Sequence, residues 1–216
     1  MTIVVLGMHR SGTSLVSGLL HNMGVNMGEK LLKSNINNPK GFFEDVDFYN
    51  LNRKLLNEAG GSWNNPPKIK TLNKVLNNNR RKIKELIERK DRNNLWGWKD
   101  PRTVLTIEGY INFLNECKFI IVCRNILSVA HSLDKKKKKR VNFVDAIQLA
   151  SIYERRLAEF IKKHNDYEML FLSFEEIMKN KKENVKRLAS FVDVDLSKEV
   201  YSFIDNKLDR SSNINS

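Results

Sequence analysis

Gly7-Met-His-Arg-Ser-Gly-Thr-Ser14 has the spacing G-x-x-x-x-G-x-S and follows directly on a short apolar run, Thr2-Ile-Val-Val-Leu6. Glycines let such a loop curl so that successive backbone N–H groups point inward. The N-terminus of the next helix adds partial positive charge, and the loop becomes a cup for an anion. In a nucleoside triphosphatase the residue after the second glycine is Lys, which reaches the β- and γ-phosphates. Thr13 stands there in this chain, and the fixed positive charge comes from Arg10 inside the loop. That exchange equips the loop poorly for γ-phosphoryl transfer while leaving its grip on a phosphate-type anion intact. The plainer alternative is a tight strand-to-helix turn that binds nothing.

A second constellation is Arg124 and Ser132, eight residues apart in Cys123-Arg-Asn-Ile-Leu-Ser-Val-Ala-His-Ser132. Arg124 closes an apolar run, and Ser132 falls about two helical turns beyond Asn125, close to the same helix face. A long Arg at a strand end and a hydroxyl on the adjacent helix can hold one anion from two directions. The alternative is an Arg paired with a carboxylate and a Ser facing solvent. Glu44, with Asp45 and Asp47 nearby, offers a carboxylate able to accept a proton once burial raises its basicity. An acidic residue there can instead merely favour a helix dipole. Lys99 ends another strand-like run. No grouping of His, Cys, Asp and Glu has metal-ligand spacing, and no Ser-His-Asp hydrolase pattern stands out.

These residues need elements to carry them. The pattern predicts a strand at 2–6, a helix from Gly12 to about Met23, a loop at 35–41 and a helix at about 44–59. An irregular stretch with Gly60-Gly61 and Pro66-Pro67 follows, then one basic amphipathic helix over 71–90. Leu95–Lys99 reads as a strand that stops at Asp100-Pro101, with Asp100 as helix N-cap. Lys118–Cys123 reads as a central parallel strand, followed by helices from about 125 and over 142–163, a strand at 168–172 and closing helices. Alternating strands and helices imply an α/β fold, three layers deep, with a central parallel sheet flanked by helices. Ligands in such folds sit at the carboxyl ends of the strands, where the residues named above fall. The chain is expected to form a single P-loop domain over residues 1–216.

Composition sets the outer limits. The 216 residues are 41% hydrophobic and 29% charged, with no apolar run long enough to span a membrane. A secretory signal pattern is lacking, and Cys117 and Cys123 match neither a zinc nor a redox spacing, so a reducing cytoplasmic location is expected. A net charge of +13 calls for an acidic partner, whether a nucleotide, a nucleic acid, a membrane surface or an acidic polymer. Lys135–Arg140 is six bases in a row, either a solvated face or a contact for an acidic acceptor. Trp63, Trp96 and Trp98 could stack on a sugar or fill the core.

Taken together, Arg10-Ser-Gly-Thr-Ser14 and the Arg124…Ser132 pair resemble the superfamily of sulfotransferases that use 3′-phosphoadenosine 5′-phosphosulfate (PAPS). Asn38-Pro-Lys-Gly-Phe-Phe-Glu-Asp45, Trp98-Lys-Asp-Pro-Arg102 and Leu172-Ser-Phe-Glu-Glu-Ile177 are similar to segments of its bacterial and glycan- or tyrosine-modifying members. The resemblance implies that Arg10, Ser11, Gly12, Thr13 and Ser14 hold the 5′-phosphosulfate, and that Arg124 and Ser132 hold the 3′-phosphate. It implies a role for Lys99 near the leaving oxygen and for Glu44 as the base, with Asp45 or Asp47 as substitutes. Members acting on phenols and steroids place a His two residues after a comparable Lys, where this chain has Pro101. The C-terminal Arg-Lys-Gly motif of those members is also absent.

The expected activity is therefore metal-independent sulfuryl transfer from PAPS to an acceptor hydroxyl, with a carbohydrate, an acidic glycan included, as acceptor and 3′-phosphoadenosine 5′-phosphate (PAP) as product. Two rival readings remain. A P-loop kinase for a small metabolite would require Mg²⁺. A basic nucleic-acid-binding protein on a degenerate P-loop scaffold would bind duplexes with steep salt dependence, although no recognisable nucleic-acid-binding motif is present.

Overall fold

Every residue of Thr2–Leu6 (β1) is buried. Side chains alternate across a strand, and in this one Val4 and Leu6 enter one hydrophobic cluster while Ile3 and Val5 enter a second. A strand apolar on both faces needs cover on both sides. The computed structural model, which describes residues 1–33, 41–134 and 141–203, provides it in three layers.

The elements run β1, α1 (Thr13–Asn22), α2 (Val46–Glu58), α3 (Ile69–Asn78), α4 (Arg80–Lys90), β2 (Trp96–Lys99), α5 (Thr103–Thr106) and β3 (Cys117–Cys123). They continue with α6 (Ile126–Asp134), α7 (Phe143–Lys163), β4 (Glu168–Ser173), α8 (Phe174–Lys179), α9 (Lys181–Val192) and α10 (Lys198–Phe203). The four strands are all parallel, in the order β2-β1-β3-β4. Val5 is level with Lys99 on one side and Ile120 on the other, so Leu6, Lys99 and Cys123 finish at the same edge. Helices α2–α7 cover one face, and α1 with α8–α10 the other. Among the described residues no helix is long and apolar enough to cross a membrane.

Beneath the edge that carries the site lies an aromatic stack. The Phe48 and Trp98 rings are 4.3 Å apart and nearly parallel, with Trp96 and Tyr110 against them. Trp96 and Trp98 are therefore core residues, 2% and 0% exposed, and stacking on a sugar is ruled out for both.

Two elements differ from expectation. The single helix foreseen over 71–90 is two, separated at Asn79. The Asn79 side chain donates to Glu58 Oε2 at 2.7 Å and to the Val75 carbonyl at 3.0 Å. An amide that competes for backbone partners weakens a helix interior, and here it follows two more asparagines. Asp100 caps a turn ahead of the helix: its Oδ1 accepts the Arg102 N–H at 3.1 Å, and α5 starts at Thr103. The loop expected at 35–41, apart from Gly41, and the basic run Lys135–Arg140 lie outside the described residues.

Candidate active site

The glycine loop joins β1 to α1, and its shape is imposed from outside. A β-carbon on Gly7 would lie 2.4 Å from the Val122 carbonyl oxygen of β3, so only glycine fits against that strand. Gly12 has φ +97°, the left-handed region that favours glycine, and a β-carbon there would strike the Phe174 ring at 2.5 Å. Between them the Ser11 N–H and hydroxyl both donate to the Met8 carbonyl, at 3.2 and 2.7 Å. Thr13 opens α1, buried.

Arg10 sits at φ 73°, a conformation that costs a residue with a β-carbon about 1–2 kcal/mol. The surrounding contacts hold it there. Arg10 Nε donates to Ser132 Oγ at 2.8 Å, and Arg124 Nη1 donates to the Arg10 carbonyl at 3.3 Å. The glycine loop and the Arg124–Ser132 pair thus meet through Arg10, although they are more than 110 residues apart in sequence. The Arg124 guanidinium also lies 4.1 Å from the centre of the Phe174 ring and 3.9 Å from Glu175, whose side chain is half exposed. The carboxylate partner foreseen as an alternative is present, beyond hydrogen-bond distance.

On the other flank the structure separates the three acidic candidates. Asp45 is the N-cap of α2, accepting the Asp47 N–H at 2.8 Å, and it pairs with Lys90 at 2.9 Å. Asp47 pairs with Lys90 and Arg89. Glu44 lies outside the helix, where the dipole reading would not have put it, and turns to the sheet edge. Its Oε1 accepts from Lys99 Nζ at 2.7 Å. The same ammonium reaches Ser14 Oγ at 3.2 Å. Lys99 is 1% exposed and Glu44 6%. Burial raises the Glu44 carboxyl above its ordinary range; Lys99 opposes the rise, Asp100 adds to it, and Arg102 opposes it.

The model of the sulfotransferase family matches residues 2–198. The chain belongs to that family. Solved structures agree in fold, and the superfamily resemblance carried by the two motifs is borne out. A sulfotransferase domain from the curacin biosynthetic pathway is 15% identical, with a TM-score of 0.58 over 94% of this chain and 77% of that one. A sulfotransferase domain from the Synechococcus PCC 7002 olefin synthase is 14% identical, with a TM-score of 0.58 over 99% and 79%. A sulfotransferase from Mycobacterium tuberculosis H37Rv is 11% identical, with a TM-score of 0.54 over 94% and 70%. No curated protein matches the sequence.

In this sulfotransferase, sequence reasoning noted His9 and Trp63 without joining them, and it missed Asn52. The His9 ring lies tilted against Trp63, ring centroids 4.6 Å apart, and Tyr153 donates to the Trp63 carbonyl at 2.8 Å, pinning the Gly60–Pro67 stretch beside the glycine loop. Asn52 is fully buried on α2 and bonds Asp100. A signal for it existed: Asn52 falls at the apolar spacing of Phe48, Leu55 and Leu56. Cys117 and Cys123 are free and partly buried, and burial pushes both thiols up, which removes them as nucleophiles near neutral pH.

Proposed function

We propose that residues 1–216 act as one catalytic domain that moves a sulfuryl group from PAPS to an acceptor hydroxyl on a carbohydrate. The observation that carries this reading is the position of Lys99. One buried ammonium touches both the hydroxyl of Ser14, in the anion cup, and the carboxylate of Glu44. A charge that neutralises a leaving oxygen and a group that accepts a proton are thereby next to each other, as an in-line displacement needs.

PAPS supplies an electrophilic sulfuryl group on its 5′-phosphate; the acceptor oxygen bonds to that sulfur as the sulfur–phosphate oxygen bond breaks. The loop residues Arg10, Ser11, Gly12, Thr13 and Ser14 hold the 5′-phosphosulfate. Arg124 and Ser132 hold the 3′-phosphate, with the Arg10 side chain turning from Ser132 toward the anion. Lys99 balances the negative charge that develops on the 5′-phosphate. Glu44 takes the acceptor proton, and its raised basicity suits that task near neutral pH. Positive charge for the transfer comes from Arg10 and Lys99, so no metal is assigned a part. The two thiols suit a reducing, cytoplasmic setting.

The choice of carbohydrate rests on the resemblance to glycan-modifying members and on a net charge of +13, which favours an acidic glycan. Calorimetry with PAP and with ATP–Mg²⁺ tests the donor. Micromolar PAP binding without metal supports the reading, and binding of ATP–Mg²⁺ alone makes the chain a kinase. Transfer of ³⁵S from labelled PAPS to neutral glycans, acidic glycans and simple alcohols then tests the acceptor. Label on alcohols with none on any glycan removes the carbohydrate.

A further inference from the structure

Glu44 has a second carboxylate oxygen whose surroundings the donor and acceptor roles leave unexplained. Oε1 is taken by Lys99. Oε2 accepts no hydrogen bond among the described residues and faces Arg102 Nη1 at 3.8 Å. Arg102 is 8% exposed and is held from behind: its Nη1 donates to Asp100 Oδ1 at 2.7 Å. Asp100, with 0% exposure, accepts through its other oxygen from Asn52 at 2.9 Å. The Asn52 amide is fully engaged, since it also donates to Thr103 Oγ1 and accepts from Thr106 and from the Tyr110 hydroxyl. The Tyr49 ring lies against the guanidinium, 4.6 Å from its centre. The ordering of the tether is therefore complete, from a buried Asn on α2 to a guanidinium near Oε2.

We propose that Arg102 is a positioning residue for Glu44: the Asn52–Asp100 tether holds its charge close to Oε2 without a hydrogen bond, so that this oxygen keeps its lone pairs for the acceptor proton. The proposal rests on the reading of Glu44 as the base. Glu44, Lys99, Asp100 and Arg102 form a quartet whose formal charges cancel, which is the condition for burying ions at tolerable cost. Hydrogen-bonding Oε2 as well would lower its basicity, and removing the Arg102 charge would raise the carboxyl further even with Lys99 still on Oε1. A charge at 3.8 Å lies between those limits. The charged groups facing Glu44 among the described residues are Lys99 at the end of β2 and Asp100 and Arg102 in the turn after it; from α1 only the neutral Ser14 hydroxyl approaches, through Lys99.

The test needs no acceptor. Protein labelled with ¹³C at glutamate side-chain carboxyls is titrated by NMR, and the Glu44 signal is assigned by its loss in Glu44→Gln. Arg102→Gln keeps a donor for Asp100 and removes the cation, so the Glu44 midpoint should move up. Arg102→Lys keeps the cation and should titrate close to the unaltered protein. Asn52→Ser leaves all four charges and cuts the tether, and its midpoint should rise by less than in Arg102→Gln. An unmoved midpoint in folded Arg102→Gln overturns the proposal. So does an equal rise in the Lys and Gln variants, which would report lost packing instead of lost charge. If Arg102→Gln fails to fold, Asn52→Ser decides, and an unmoved midpoint there overturns it. Failure of the base reading has a different signature: ³⁵S transfer that survives Glu44→Gln while the midpoints still shift.

Discussion

The two flanks of the glycine loop hold their cations in opposite ways. On the Glu44 flank Lys99 and Arg102 are buried and matched by two buried carboxylates. On the Arg124 flank the contacts of Arg10 and Arg124 among the described residues include a hydroxyl, a carbonyl and a ring face, with the half-exposed Glu175 carboxylate at 3.9 Å. Balanced charge in a dry setting tunes a proton affinity, and cations held by neutral groups keep their field for an incoming anion. In the proposed reading one flank moves a proton and the other holds phosphate.

That division can be broken experimentally. The largest effect belongs to Glu44→Gln, which should cut ³⁵S transfer by about 10²–10⁴-fold, the usual contribution of a positioned base, with PAP affinity in calorimetry unreduced. Loss of PAP binding in that variant would erase the distinction between the flanks. Asn52→Leu should cost about 3 kcal/mol in urea unfolding, because it strips partners from Asp100, Thr106 and Tyr110 in the core. On the open flank Arg124→Ala should weaken PAP about 10–100-fold by calorimetry, the value of a charged hydrogen bond, and leave the urea midpoint nearly unchanged.

The smallest effect sharpens the comparison through pH. A carboxyl whose folded value is raised stays protonated in the native state over a window where the unfolded chain has released its proton. Its contribution to stability is thus lost as pH rises from the ordinary carboxylate range through the raised value. Unfolding measured across that window should fall less steeply with pH in Glu44→Gln than in the unaltered chain. Equal slopes would mean that Glu44 carries no raised basicity.

Much of this was legible in the residues, for local reasons. The glycine loop announces itself by its glycine spacing directly after an apolar strand, although the atoms that require glycine there, the Val122 carbonyl and the Phe174 ring, are distant in sequence. The strands announce themselves because β1 and β3 are apolar on both faces. Helical spacing offered Ser132 as a neighbour of Arg124, and the structure joins the two through Arg10, which bonds the Ser132 hydroxyl and lends its carbonyl to Arg124. What spacing could not supply is who faces whom across the sheet. Sequence ranks Glu44 ahead of Asp45 and Asp47 without separating them in space, and it is Lys90 on α4, more than 40 residues away, that engages the other two. Asn52 and Arg102 become meaningful once α2 is laid against the turn after β2, a contact between segments 48 residues apart. The break at Asn79 was missed for a related reason: one of the two acceptors that hold its amide is Glu58, on another helix.

The missing β-carbon of Gly7 has a consequence in time as well as in space. With the loop backbone seated on the Val122 carbonyl, two residues before Arg124, the anion cup is joined to the strand that bears its second arginine. Its amides should therefore exchange hydrogen with solvent on the slow clock of the central sheet, and a nucleotide bound there would find the ordering already done at folding.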